Sequence, residues 1–329
     1  MERLAVGLIG CGTLSSYAHG PALRKLERMY EFRAIADIDP TTLNAFSKRF
    51  GVDRKFTDYK EMISSEDLDI AIVATPTPTH EEIGLYVLNH GVNLFMEKPF
   101  ALTLEGARNM IEASERQGRA LQVGHCVRFW QGYVQIKEQM SNGDYGEPLL
   151  AKAHRWGTMP APLWYRDPAQ SNGVGLDVAI HDLDYLRWLI GEPKSVYAQG
   201  RFEGKLPMSV QAVLEFEGDA IAYIDASWDF PPSWRFATFF EIIGTKGMAQ
   251  MDSRESTTLE VYTGHTSSAS SPREDDAYTR QLAAFWEPAR GGKPVLPATD
   301  SIKSLELALA LNKSLNGAGR VELKREVVK

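Results

Sequence analysis

Five short apolar runs, with helix-spaced stretches between them, set the tightest limit on what this chain can fold into. Leu4–Ile9, Phe32–Ala36, Ile70–Ala74, Val92–Met96 and Ala120–Val123 each read as a buried strand, and Lys55-Phe56 as a short edge strand. Apolar residues recur at helical spacing over Thr13–Arg28, from Asp39-Pro40-Thr41-Thr42 to Phe50, from near Tyr59, and over Thr79–Asn89 and Thr103–Gln117. Asp39 or Thr41 is the expected cap of the second helix, with Pro40 in its first turn, while Gly91 and Gly118 end two others. Strand and helix alternating at this length imply a parallel, doubly wound sheet.

After Gly124 the rhythm changes. A helix over 129–142 and a turn at 143–148 lead into strand-like segments at 149–156, 194–202, 208–216, 219–228, 236–243 and 258–262. Helices near 175–190 and 275–290 interrupt them, Thr266–Ser271 reads as a surface loop, and a last helix spans about 299–316 before Gly317. The expectation is an α/β chain of two domains without internal repeats. Residues 1–124 surround the parallel sheet and 125–329 a large, mostly antiparallel open sheet, with the last helix able to pack back on the first domain.

The totals exclude several classes. A net charge of -7 offers no basic surface for nucleic acid, and basic pairs such as Lys324-Arg325 have acidic neighbours. No apolar run approaches the roughly 20 residues needed to span a bilayer. Met1-Glu2-Arg3 runs straight into a strand pattern, with no signal-peptide layout. Two cysteines, Cys11 and Cys126, in a chain of 329 residues point to a reducing setting, so the expected location is the cytoplasm.

In open α/β sheets ligands sit beyond the carboxyl ends of the strands. Gly10, Asp37, Thr75, Lys98 and Gly124 each follow an expected parallel strand and should share that edge. Gly10-Cys11-Gly12-Thr13-Leu14-Ser15 is a glycine fingerprint with Ser15 in place of the third glycine. Its glycines permit a tight turn and close approach of a pyrophosphate, and the helix opening at Thr13 and Leu14 offers N–H donors. The same turn also occurs in α/β proteins that bind no dinucleotide. Asp37 lies 22 residues after Ser15, near the spacing of the acid that accepts hydrogen bonds from an adenosine ribose; the other reading is a helix-capping aspartate. Ile38 follows it, so nothing there welcomes a 2′-phosphate, and the expected cofactor is NAD, with NADP possible. Thr75-Pro76-Thr77-Pro78-Thr79-His80 is a rigid loop whose hydroxyls could meet the nicotinamide ribose, and His80 could contact the cofactor or cap the next helix.

Hydride transfer from an alcohol needs a base for the hydroxyl proton and a donor to steady the oxygen. Lys98, at the end of Leu94-Phe95-Met96-Glu97-Lys98-Pro99, sits where a nicotinamide should end; a surface ion pair with Glu97 is the alternative. Asp177 and His181 are four apart on an apolar helix and share a face, either as a satisfied buried pair or as a catalytic one. A zinc site of Asp177, His181 and Asp184 is a poor fit, since Asp184 points about a third of a turn away. Tyr133 and Lys137 match the Tyr-x-x-x-Lys of short-chain dehydrogenases, but without that family's glycine spacing or upstream serine they read as an ordinary helix face.

Together the glycine turn, Asp37, Thr75-Pro76, Glu97-Lys98-Pro99 and Asp177-x-x-x-His181 resemble the glucose–fructose oxidoreductase, inositol dehydrogenase and MocA family. The likeness extends to Ala289-Arg290-Gly291-Gly292-Lys293-Pro294 before the last helix. It implies a Rossmann domain followed by an α/β domain whose open sheet forms oligomer interfaces, hence a homodimer or homotetramer. It also implies roles: His181 as general base or acid, Asp177 orienting substrate and histidine, and Lys98 binding the reacting oxygen. Glu97 completes the cofactor side, a cis Pro99 aims Lys98, and Arg128 matches a position near the active site. Ser15 and Cys126 depart from the family pattern, the latter standing where some relatives carry asparagine. His154, Trp156, Trp164 and Tyr165 could line a sugar-sized pocket or belong to core or interface.

The implied reaction is hydride transfer between nicotinamide and a secondary hydroxyl of a sugar, inositol or related polyol. Two other readings use the same family: a glycosidase working by transient oxidation, elimination and re-reduction on bound NAD, and a dinucleotide-binding sensor without chemistry. Retention of Lys98, Asp177 and His181 together argues against the sensor.

Overall fold

The computed structural model describes residues 3–255, 258–264, 266–271 and 276–323. In chain order the elements begin β1 (Leu4–Ile9), α1 (Gly20–Lys25), β2 (Tyr30–Ala36), α2 (Pro40–Phe50), β3 (Arg54–Phe56) and α3 (Tyr59–Ser65). Next come β4 (Ile70–Val73), α4 (His80–Asn89), β5 (Asn93–Met96), α5 (Leu104–Gln117) and β6 (Leu121–Val123). Then follow α6 (Gln131–Ser141), β7 (Pro148–Trp156), α7 (Pro168–Ser171), α8 (Ile180–Ile190), β8 (Ser195–Glu203), β9 (Leu206–Glu215) and β10 (Ile221–Ser227). The chain closes with β11 (Ala237–Gly244), β12 (Gly247–Asp252), β13 (Leu259–Thr263), β14 (Thr266–Ser270), α9 (Ala277–Phe285), α10 (Ala298–Lys313) and β15 (Val321–Glu322).

The chain divides into two compact units. One contains residues up to Phe129 together with Asp276–Ile302; the other contains Trp130 onward together with the residues from Lys303. In the first, six parallel strands run in the order β3-β2-β1-β4-β5-β6, the doubly wound sheet expected from the alternation. Strands β4 and β5 are buried at every residue, as a parallel sheet covered on both faces requires. Asp39, not Thr41, caps α2: its side chain accepts from the N–H groups of Thr41 and Thr42, Pro40 holds the first turn, and Gly51 closes the helix at φ 61°. Segment 276–302, assigned from sequence to the second domain, returns to this unit. The Tyr30 hydroxyl donates to the Leu282 carbonyl at 2.6 Å, and the Asn93 amide donates to the Ala289 carbonyl at 3.1 Å.

The second unit is built on nine strands in the order β14-β13-β12-β11-β7-β10-β9-β8-β15, antiparallel except for the β10–β7 pair. Helices cover one face: Phe240 of β11 meets Tyr133 of α6 and Tyr185 of α8 with ring centroids 5.8 and 4.9 Å apart. The Tyr133 ring stands edge-on to Tyr185, and the Lys137 ammonium lies 5.6 Å from the Trp188 ring, so these two residues form the packed side of a helix.

Three strands escaped the pattern in the sequence: β12, β14 and the two-residue β15, which pairs with β8. The polar run Thr266–Ser270 is not a loop but an exposed edge strand paired to β13; its ladder uses backbone groups, so it needs no apolar side chain. Strand β12 is poor in β-branched residues, and a Cβ on its Gly247 would lie 2.5 Å from the Tyr262 carbonyl oxygen. The expected helix over 175–190 is a π-turn at Gly175–Ala179 leading into α8. The expected last helix begins in the first unit and continues into the second, where Ser304 donates to Asp184 at 2.7 Å. Residue 275 and Lys324-Arg325 lie outside the described residues.

A buried bidentate pair ties β7 to α8: Arg155 Nε and Nη2 donate to the two oxygens of Asp182 at 3.0 and 2.8 Å. Removing one partner strands the other charge, so Asp182→Ala should cost about 3–5 kcal/mol, whereas Arg155→Met with Asp182→Leu should recover most of the loss. Urea unfolding of the three proteins checks this; a double variant no more stable than the single one contradicts it.

Candidate functional site

The first unit places the expected cofactor residues along the carboxyl edge of its sheet. Gly10 turns the chain at φ 92°, where a Cβ would come within 2.5 Å of the Ala74 carbonyl oxygen, so only glycine fits. A Cβ on Gly12 would meet nothing within 4 Å. Ser15 Oγ donates to the Gly10 carbonyl at 2.5 Å and so fastens the turn it closes. Thr13 is exposed and Leu14 half-buried at the start of the following helix.

Asp37 ends β2 beside this turn. One of its oxygens accepts the Cys11 N–H at 2.7 Å and the other the Asp39 N–H at 2.9 Å, while helix capping falls to Asp39. Burial, with Asp37 adding to it, pushes the Cys11 thiol up, which keeps it protonated and unreactive. Ile38 is 91% exposed at the position where a 2′-phosphate would need a cation.

After β4, Thr75 and Thr79 share a hydroxyl hydrogen bond at 2.7 Å, Pro76 is exposed and Thr77 buried. His80 neither faces the edge nor caps α4. It is buried, with Nδ1 2.8 Å from the Pro99 carbonyl oxygen and Nε2 3.0 Å from that of Thr75, so it braces the loops after β4 and β5. Burial holds its pKa below the ordinary imidazole range. Glu97 is also buried rather than part of a surface pair: its oxygens accept from His19 Nε2 at 2.9 Å and from the Lys98 N–H at 3.1 Å. Lys98 is half-buried, and the Lys98–Pro99 bond is cis, as the family resemblance implied. Arg128 pairs with Asp300 of the same unit at 2.7 Å.

In the second unit, Asp177 sits in the π-turn and His181 in the first turn of α8; the former is buried and the latter half-buried. Gly175 is closely covered there: a Cβ would fall 2.1 Å from Asn312 Oδ1 and 3.0 Å from Leu311 Cδ2. The other two carboxylates of the stretch point into the structure, Asp182 to Arg155 and Asp184 to Ser304. Trp164 and Tyr165 stack at 3.8 Å in the turn before α7, with Tyr165 edge-on to Trp228.

His154 and Trp156 do not share the face of Asp177 and His181. Arg155 points toward α8, and side chains alternate along a strand, so its two neighbours project from the opposite, open face. There the Trp156 indole donates to Asp225 at 3.0 Å and His154 packs on Tyr223 and Phe239. Their expected place in a pocket with the catalytic pair is corrected accordingly.

Residues 4–125 match the model of an oxidoreductase family with an NAD-binding Rossmann fold, and residues 133–250 match the GFO/IDH/MocA C-terminal domain. The chain belongs to this oxidoreductase family. It is 27% identical to myo-inositol 2-dehydrogenase of Thermotoga maritima, over 98% of this chain and 100% of that protein. It is 28% identical to scyllo-inositol 2-dehydrogenase (NAD(+)) of Bacillus subtilis, over 84% of each. Its fold matches that of the WlbA dehydrogenase from Bordetella pertussis in complex with NADH and UDP-GlcNAcA, at a TM-score of 0.86 and 22% identity, over 99% of this chain and 100% of that one.

As a member of the GFO/IDH/MocA family the protein is an NAD-binding oxidoreductase, and the edge fits that cofactor. The glycine turn leaves its approach open at Gly12, and the carboxylate of Asp37 stands at the end of β2, followed in the chain by Ile38 rather than a basic residue. Two residues of this edge were missed in the sequence, Tyr17 and His19. Both fall in a π-turn, Ser15–His19, which shifts the helical register and breaks the spacing by which inward residues are recognised. Tyr17 is 59% exposed and lies within electrostatic reach of Glu97 and Lys98. The remaining signal for His19 was a polar residue on the side of the helix that faces the sheet.

Gly10 and Gly12 separate folding from binding. Gly10→Ala should destabilise by about 1–3 kcal/mol through strain at positive φ. Gly12→Ala should leave the melting temperature unchanged yet weaken NADH binding by about tenfold or more, since its methyl group fills the space a pyrophosphate needs. Fluorescence titration with NADH beside thermal melts checks both; a Gly12→Ala protein that binds like the parent refutes the cradle.

Proposed function

We propose that the protein oxidises a secondary hydroxyl of an inositol or related polyol with NAD. Kinship to two inositol 2-dehydrogenases, over 98% and 84% of this chain, carries this reading of the substrate, and both are dehydrogenases, which favours net hydride transfer over oxidation and elimination. NAD held at the edge formed by Gly10, Gly12 and Asp37 would supply the acceptor for the hydride that leaves the carbinol carbon with its electron pair. In the proposed assignment, His181 takes the hydroxyl proton, Asp177 orients the imidazole and the substrate, and the Lys98 ammonium steadies the oxygen as it becomes a carbonyl. Residue-by-residue agreement with Glu97-Lys98-Pro99 and Asp177-x-x-x-His181 supports these roles. Trp164 and Tyr165 are proposed as an apolar wall for the ring of the polyol.

The same proposal includes self-association in the cytoplasm. Across the open face of the second sheet runs a row of apolar residues in register: Ile221, Leu150, Ile243, Met248 and Tyr262. Ile221 and Tyr262 are 43% and 40% exposed, which supports a face covered by a second copy.

NADH formation should appear with one or more inositols or polyols, and His181→Ala or Lys98→Met should lower kcat by about 10²–10⁴-fold. Product analysis on glycosides, with aglycone release but no NADH, would favour the eliminating mechanism instead. Light scattering should give a dimer or tetramer that Ile221→Lys dissociates; a parent chain that is monomeric at assay concentration refutes the assembly.

A further inference from the structure

None of the proposed steps uses His19, yet it is fully enclosed within the first unit. The ring has 0% exposure and stands edge-on to Phe95 and Tyr278, with centroids 5.9 and 6.2 Å away. Nε2 donates to Glu97 Oε1 at 2.9 Å, while Nδ1 meets no partner among the described residues, so its one polar contact is that carboxylate. The other Glu97 oxygen accepts the backbone N–H of Lys98 at 3.1 Å. Gly124, at the end of β6, closes the third side: a Cβ there would lie 2.8 Å from Glu97 Oε1.

One buried carboxylate thus joins three pieces of chain: the helix that follows the glycine turn, the amide of Lys98 and the end of β6. Burying a carboxylate is unfavourable unless donors replace its water, and two donors do so here. The π-turn Ser15–His19 matters because each added residue rotates a helix by about 100°, which carries His19 inward toward the sheet.

We propose that His19 is a positioning residue for Lys98, acting through Glu97 to hold the Lys98 backbone in fixed relation to the helix that follows the glycine turn. This rests on the reading of Lys98 as the group that steadies the reacting oxygen. His19→Phe keeps the ring and its aromatic contacts but removes the donor. His19→Gln restores an N–H at the reach of Nε2.

The test measures three quantities in the full-length protein. NADH affinity is read by fluorescence, kcat and KM on a polyol at saturating NAD, and the acetylation rate of Lys98 by peptide mass spectrometry without substrate or cofactor. His19→Phe should lower kcat about tenfold or more, leave NADH affinity within about threefold, and change Lys98 labelling by about threefold or more, with His19→Gln recovering both changes. Should His19→Phe fail to fold, Gly124→Ala displaces the same carboxylate without touching His19 and should alter labelling in the same way. Parental labelling in His19→Phe, or equal losses in the Phe and Gln variants that track only the melting temperature, overturns the proposal. If labelling follows His19 while the parent protein oxidises no polyol, the positioning stands and the substrate reading fails.

Discussion

A parallel sheet buried on both faces can present chemistry only where its strands stop, and the first unit follows from that constraint. Strands β4 and β5 have no exposed side chain, so Gly10, Asp37, Thr75 and Lys98 gather at one edge because the chain leaves the sheet there. Polar groups just below that edge have to be satisfied by protein. Asp37 is held by two backbone amides, His80 lies between two carbonyls, and Glu97 takes His19 and the Lys98 amide. Each such bond stiffens a loop that would otherwise be free to move, so satisfying buried groups and preorganising a site are one process here.

The second unit meets the opposite constraint. Its sheet is covered on one side only, so residues sort by parity along each strand. Arg155 falls on the covered side and reaches Asp182; its neighbours His154 and Trp156 fall on the open side among Tyr223, Asp225 and Phe239. On α8 the side chains sort in the same way. Asp182 and Asp184 are committed to Arg155 and Ser304, which fix the helix, while Asp177 and His181 occupy the π-turn and the turn after it.

Much of the fold was legible because burial repeats at a fixed period. The six strands of the parallel sheet and their intervening helices followed from apolar runs and caps such as Asp39 and Gly118. Strand β14 was not legible, since a ladder of backbone hydrogen bonds places no demand on side chains at an exposed edge, and the interior strand β12 was not because it lacks the β-branched residues that mark a strand. The glycine turn, Asp37 and the Glu97-Lys98-Pro99 run were legible as a cofactor edge, whereas the burial of His80 and Glu97 was not. Their polar character suggested a surface, and only a count of nearby donors and acceptors shows that an interior position is affordable.

The order of chemical groups along the chain was determined by sequence alone: which residues end strands, where glycine is needed, and that Asp177 precedes His181 by one helical turn. These are local properties, set by spacing and backbone preference over a few residues. Tertiary structure alone decided the partners. Glu97 meets a histidine 78 positions away, Asp184 a serine 120 away, and His154 lies on the far side of a sheet from its chain neighbour's ion partner. No periodicity spans such separations, because which distant donor reaches a buried acceptor depends on strand order and register that the whole fold sets together.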